Sequence, residues 1–455
     1  MSGTEDKNKN EYTGKKQWKK FELKKQTHYE DVTLKEVLLP EFRWKEIGLD
    51  LLAFVRNLFI ANFIGLVIGG YCSLFGLLII YVTKLRMEHE WLLYLLPFGG
   101  LAIVALYRWC GIKRSRGTNR ILESISSGEI IPLRSTPLIT VATALTHLFG
   151  GSAGREGAAL QIGGSIGNWL GVQLKFEQKD ITIMTMCGMS AAFAALFGTP
   201  LAATVFSMEV ISIGIMHYSA IVPCAVASIV GAKLAQFLGL VPEHFPVEQF
   251  AKLDWKMGLG IVIFSILSAL ASVIFCLILQ KAEILYQKYL INPYVRIFVG
   301  GVLVIGITLL LGTRDYNGAG IQVIERMVEG EGIWALGFLA KMVLTALTLG
   351  AGFKGGEIVP TIFVGAAFGC VIAPVLGISG SVGAAMGICA LFCGVTNCPL
   401  TAIVLSFELF GYEGMPYYLL VAAISYRLSG YTSLYHGQKI MYSKSRPEYI
   451  NRHPE

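Results

Sequence analysis

The chain has 455 residues, 54% of them hydrophobic and 15% charged, with a formal net charge of +7 and a mean hydropathy of +0.58. Soluble domains carry about 25% charged residues, so the balance excludes an ordinary soluble protein and leaves an integral membrane protein. Glycine, at 51 residues, exceeds the soluble average of about 7% and fits closely packed helices, as at Gly365 and Gly369.

In chain order, segment 1–49 is polar and basic, with Lys15, Lys16, Lys19, Lys20, Lys24 and Lys25 ahead of the first apolar run. Lysine beside a membrane predicts a cytoplasmic N-terminus. Nucleic-acid binding is the competing reading of such a tail, and the juxtamembrane placement argues against it. A start charged throughout is unlike a cleavable signal peptide. Apolar runs at Leu58–Val82, Trp91–Leu106, Ala220–Leu238, Met257–Leu279 and Val295–Leu311 reach or approach spanning length. Others are short or broken by Gly and Pro, which suits helices that end inside the bilayer. The tail 436–455 is basic again (Lys439, Lys444, Arg446, Arg452), so both ends are expected in the cytoplasm and the number of crossings is even. The nine cysteines form no paired framework. Cys393 and Cys398 lack partners at metal-ligand spacing and read as small reduced core residues; no metal or cofactor is expected.

The membrane region divides into two segments alike in plan, 50–240 and 241–435. Each opens with a long apolar helix, ends on shorter ones, and carries one Gly-rich break with a carboxylate. The first break is Gly151-Ser152-Ala153-Gly154-Arg155-Glu156-Gly157; the second runs from Gly350 to Pro360 and holds Lys354 and Glu357. An ionisable group at membrane depth marks a transport or ion site by default, and irregular backbone survives there only if it is buried in protein or lines a cavity. Paired breaks in corresponding positions point to an inverted-repeat transporter with its site at the midplane. Both breaks feed helix starts. A third candidate start lies at Arg116–Arg120, where Thr118 and Asn119 are N-cap types for a helix over Arg120–Ser127 that Gly128 stops. Converging helix N-termini offer unpaired N–H groups and partial positive charge, a setting that binds anions. The sequence therefore predicts an anion site built from backbone, with carboxylates able to carry protons.

These residues resemble the CLC family of chloride channels and anion/proton antiporters. Gly154–Gly157 is similar to its GREGP signature, Gly355–Pro360 to its GxFxP signature, and Gly117-Thr118-Asn119 stands where the family has GSGIP. Phe197–Ala202 ahead of Glu209, and Asn397–Thr401 ahead of Glu408, are similar to further CLC segments. The resemblance spans the whole membrane region. It implies an all-α CLC-type inverted repeat with many tilted and broken helices, assembled as a homodimer in which each subunit has its own pathway. Three departures narrow it. Thr118 replaces the family's Ser, Glu357 stands where other members are apolar, and Ala158 replaces a proline. Together these resemble the fluoride/proton antiporter clade. Val210 occupies the position of the internal proton-transfer glutamate of chloride/proton antiporters, which leaves the inner proton route open.

On this reading Glu156 is the gate. Ionised, it occupies an anion position; protonated, it loses that attraction and swings away. A structural pair with Arg155 is the competing role. Glu357 is read as a fluoride hydrogen-bond donor or inner proton carrier, against the alternative of a helix cap. Thr118, Asn119 and Tyr435, with the backbone amides of Gly157, Glu357 and Ile358, are the expected anion contacts. Lys354 either adds positive potential or snorkels. Glu209 and Glu408 read as structural hydrogen-bonding groups. The expected activity is export of cytoplasmic fluoride in exchange for protons across a prokaryotic plasma membrane, with chloride carried less well. A chloride/proton antiporter or chloride channel is the nearest alternative. From another class, Gly150–Gly154 matches the G-x-S-x-G pattern, which would make Ser152 a protease nucleophile if His147 or His217 served as its base.

Overall fold

The computed structural model describes residues 44–112, 117–247 and 250–454. The lysine-rich part of the N-terminal segment and Arg116 lie outside the described residues. Two units are distinguished, one ending at Asn57 and one from Leu58 onward. The helix α1 (Trp44–Glu88) begins the described chain and is followed by α2 (Leu96–Trp109), α3 (Thr118–Ser127), α4 (Ser135–Leu148), α5 (Glu156–Gln173), α6 (Gln178–Phe197), α7 (Pro200–Glu209) and α8 (Ile221–Phe237). The order then repeats: α9 (Trp255–Tyr289), α10 (Pro293–Leu311), α11 (Ile321–Val328), α12 (Gly337–Ala351), α13 (Ile358–Ile372), α14 (Gly380–Thr396), α15 (Pro399–Phe410) and α16 (Met415–Leu428). The counterparts agree in character. Each series opens on its longest helix, of 45 and 35 residues, and has its shortest or joint-shortest third, of 10 and 8.

Among the described residues, seven helices are long and apolar enough to cross a membrane by length and composition. Five contain the runs expected from hydropathy, to within a residue at Leu238. The other two, Gln178–Phe197 and Ile358–Leu376, are 83% and 78% buried inside the protein across their most apolar window, against 28% for Pro293–Leu311. Their small, mixed sequences suit helices wrapped by other helices rather than by lipid.

Glycine sets how close these central helices come. Gly163 of α5 faces Gly188 of α6, and Gly365 and Gly369 of α13 face Gly387 and Gly383 of α14, with a neighbouring backbone carbonyl occupying the space a Cβ would need. Without a hydrophobic drive between helices in lipid, this small-residue packing is the main adhesive.

The inversion between the two series is visible in one reciprocal contact. Glu209, at the end of α7, accepts hydrogen bonds from the Leu400 and Thr401 amides at 3.1 and 2.8 Å and from Thr401 Oγ1 at 2.6 Å. Glu408, near the end of α15, accepts from the Leu201 and Ala202 amides at 3.0 and 2.7 Å. Each helix thus ends on a carboxylate that satisfies the orphan N–H groups and positive dipole end of its counterpart. The two helices run antiparallel, as inverted copies must.

A small sheet interrupts the helical architecture. β1 (Ser212–Ile213) pairs in parallel with β2 (Lys439–Tyr442), which pairs antiparallel with β3 (Tyr449–Arg452). The basic tail is therefore docked against the segment after α7, an arrangement its short polar sequence does not announce. The nine cysteines are free thiols and all but Cys110 are buried.

Candidate functional site

The two Gly-rich breaks are joined backbone to backbone. The Gly154 amide donates to the Gly356 carbonyl at 2.8 Å, and the Gly356 amide to the Gly154 carbonyl at 2.7 Å. Immediately after this bridge α5 and α13 begin. A Cβ on Gly157 would lie 2.7 Å from Gly356 Cα, 3.5 Å from Glu357 Oε2 and 3.5 Å from Thr118 Oγ1. The starts of α3, α5 and α13 therefore meet at Gly157, and only a residue without a side chain lets them do so. Helix starts expose amides that have no intrahelical acceptor, so their meeting concentrates donors and positive dipole ends in one place.

Glu156 is 1% exposed and folds back over its own helix start. Its Oε2 accepts from the Arg155 amide at 2.9 Å, and its Oε1 lies 3.3 Å from Arg155 Nε. Arg155 also reaches Glu243 Oε1 at 3.0 Å and the Leu196 carbonyl at 3.4 Å. The Arg155–Glu156 pair weighed from sequence is thus formed, and it holds the carboxylate against the amides at the head of α5.

Glu357 is the residue preceding α13, yet its side chain makes no cap hydrogen bond. The helix-cap role weighed for it is not the one the geometry has. Its carbonyl accepts from Thr361 Oγ1 at 2.9 Å, and its carboxylate instead faces Gly157. Ile358 follows as the buried first residue of α13.

Thr118 is itself the first residue of α3, behind Gly117, with no side-chain cap; the capping role expected of Thr118 and Asn119 is not adopted. The positive φ of Gly117 (60°) turns the chain into the helix and frees the Thr118 hydroxyl, which donates to the Gly157 carbonyl at 3.3 Å. Gln161, one turn along α5, donates to the same carbonyl at 3.2 Å. Sequence reasoning missed Gln161, although its place four residues after Gly157 put it on the same helix face. A small pocket, partly open to its surroundings, borders this corner and is lined by Tyr107, Gly117, Arg120, Ile121, Gln161 and Ser165 among others.

Tyr435 is 1% exposed and its hydroxyl has no hydrogen-bond partner among the described residues. It lies within electrostatic range of both Glu357 and Glu156. An unpaired buried hydroxyl costs free energy, so a site that supplies an acceptor explains it. Asn119 is placed differently: its Oδ1 accepts from the Gly437 amide at 3.0 Å, which ties it to the tail. The Lys354 ammonium stands over the Tyr107 ring at 5.1 Å.

Val210 is fully buried and has no ionisable side chain; its carbonyl accepts from Gln438 Nε2 at 2.9 Å. Gln438, also missed from sequence, donates as well to the Thr396 carbonyl at 2.9 Å. A neutral amide thus ties the end of α7 to the end of α14 at Val210. The hydrolase arrangement is not assembled either. The Ser152 hydroxyl shares a hydrogen bond with Thr345 Oγ1 at 3.1 Å. The His147 ring pairs through Nδ1 with the Thr143 carbonyl of its own helix, and its Nε2 has no partner among the described residues.

The family model described as "Voltage gated chloride channel" matches residues 98–430. The chain belongs to the CLC family. This CLC chain is 35% identical over 415 residues to the "Chloride/fluoride channel protein" of Pseudomonas syringae pv. tomato, covering 89% of this chain and 91% of the relative. It is 26% identical over 419 residues to the "H(+)/Cl(-) exchange transporter ClcA" of Vibrio campbellii, covering 81% and 84%. Among solved structures it is similar to a CLC-type fluoride/proton antiporter, with a TM-score of 0.82, 31% identity, and coverage of 85% of this chain and 98% of that one. A slow cyanobacterial Cl-/H+ antiporter shares the fold, with a TM-score of 0.71 at 21% identity and coverage of 82% and 94%.

Proposed function

We propose that this CLC chain is a fluoride/proton antiporter that exports cytoplasmic fluoride in exchange for protons. The observation that carries the reading is the placement of a second carboxylate, Glu357, beside Gly157 and Thr118, at a helix start where it makes no cap. A fixed carboxylate repels anions unless it is protonated or turned away. A protonated carboxyl, however, donates a strong hydrogen bond to fluoride, a small and basic acceptor. The extra methyl of Thr118 narrows the site against larger chloride. The likeness to a chloride/fluoride channel protein and to the structure of a fluoride/proton antiporter supports the same substrate.

In the proposed cycle, ionised Glu156 sits over the head of α5, held by the Arg155 amide and guanidinium. Fluoride arriving at the converging helix starts competes for those amides and displaces the carboxylate. Protonation removes the charge that returned it, and loss of the proton to the cytoplasmic side restores it. Glu357 takes the inner proton in place of the glutamate absent at Val210. Two copies of the chain form the homodimer, each with its own pathway, in the plasma membrane of a prokaryote with both termini cytoplasmic. Segments 50–240 and 241–435 act as its two membrane repeats. A chloride/proton antiporter is the second reading, favoured by the ClcA relative.

Efflux from proteoliposomes loaded with fluoride or chloride tests the substrate. Fluoride leaving much faster than chloride, with the preference reduced by Thr118→Ser, is the expected result. Equal rates for both anions would return the chain to a generic CLC antiporter.

A further inference from the structure

We propose that Asn119 is a positioning residue that sets the distance between the Thr118 and Tyr435 hydroxyls, and through it the fluoride preference of the site. The inference rests on the antiporter reading above. Tyr435 stands in a tight loop, Ser433–Gln438, that is fixed along most of its length. The Tyr435 amide donates to Ser433 Oγ at 3.0 Å, the Gln438 amide donates to the Tyr435 carbonyl at 3.1 Å, and Ser433 Oγ donates to Gln438 Oε1 at 2.9 Å. Gln438 anchors this loop to the ends of α7 and α14 through the Val210 and Thr396 carbonyls. The Leu434 amide adds a bond to the Val395 carbonyl at 3.0 Å.

All of those bonds fasten the loop to itself or to the ends of α7 and α14. Asn119 fastens it to α3. Its Oδ1 accepts from the Gly437 amide, and the backbones touch: a Cβ on Gly437 would lie 2.7 Å from the Asn119 carbonyl oxygen and 3.3 Å from Asn119 Cα. Because the partner is a backbone N–H, the atom facing it must be the amide oxygen, so the orientation is set by chemistry. Thr118, one residue earlier, faces Gly157, and Tyr435, two residues before Gly437, carries the unpaired hydroxyl. The clamp therefore couples the two segments that carry these hydroxyls. Discrimination between anions of different radius needs such groups held to within about 0.5 Å, and a residue that touches no anion can supply that.

The test uses Asn119→Leu, which keeps the side-chain shape and removes the acceptor, and Gly437→Ala, which forces the same two backbones apart from the other side. In reconstituted protein, each should lower the fluoride-over-chloride flux ratio by about fivefold, the worth of one hydrogen bond. The double variant should fall no further, because both remove one coupling. Hydrogen exchange of the 433–438 peptide gives a readout independent of the ion carried. It should quicken in Asn119→Leu and stay slow in Asn119→Asp, whose carboxylate still accepts from Gly437. Unchanged exchange in Asn119→Leu, or an unchanged flux ratio against a selective wild type, overturns the clamp. A wild type that carries both anions equally overturns the antiporter reading instead, and the exchange result then still decides whether the clamp exists.

Discussion

The two Gly-rich breaks occupy corresponding places in the two helix series, are joined by the Gly154–Gly356 bridge, and treat their carboxylates in different ways. In the first break Arg155 precedes Glu156, and the pair closes on itself, with the carboxylate against its own helix start. In the second, Glu357 takes the place of Arg155 just ahead of the helix, Ile358 takes the place of Glu156, and the carboxylate makes no cap. One half thus supplies a carboxylate held against its own helix start, where the proposed cycle has an anion compete for it. The other supplies one that faces the site from across Gly157. The two helix starts share a scaffold and differ in chemistry at two adjacent positions, Arg155 and Glu156 against Glu357 and Ile358.

The largest effect should come from abolishing the junction itself. Gly356→Ala places a Cβ against the Gly157 backbone, and we expect loss of folded protein, read by expression and size-exclusion profile. Next in size is the contrast between the carboxylates. Glu156→Gln should abolish proton coupling while anion still flows, whereas Glu357→Gln should reduce coupling and fluoride preference together. Full coupling in Glu357→Gln would remove it from the proton route. The reciprocal caps test the symmetry: Glu209→Gln and Glu408→Gln should each lower thermal stability by similar amounts, about 1–3 kcal/mol for weakened charged hydrogen bonds, with selectivity unchanged. A large change in one variant alone would mean the two halves do not bear equal load. Thr118→Ser should shift only the anion preference. Ser152→Ala should leave transport intact, since its hydroxyl meets Thr345 and not an ion site.

Much of this was legible in the sequence because lipid makes polar residues conspicuous. Glu156, Glu357 and the two breaks stood out by being expensive where they were, and Glu209 and Glu408 were read as structural hydrogen-bonding groups, which their capping of Thr401 and Ala202, respectively, bears out. The spans Gln178–Phe197 and Ile358–Leu376 were harder to see, because helices surrounded by protein use Gly, Ala, Ser and Thr and lose hydropathy contrast. Gln161 was missed although its partner, the Gly157 carbonyl, is only four residues away. Gln438 and the Asn119–Gly437 clamp were not legible. Each is a neutral amide whose partner is a backbone atom far away in sequence, and no local pattern encodes such a contact. The tail sheet escaped for the same reason, since β1 and β2 are separated by α8 and the whole second helix series.

The central claim, that the joined breaks form one proton-coupled anion site, is tested most directly by recording proton uptake during fluoride efflux from proteoliposomes, for wild type and Glu156→Gln side by side. The account predicts proton uptake tied to fluoride efflux in wild type and fluoride movement without protons in the variant. Coupling that survives in Glu156→Gln would contradict it.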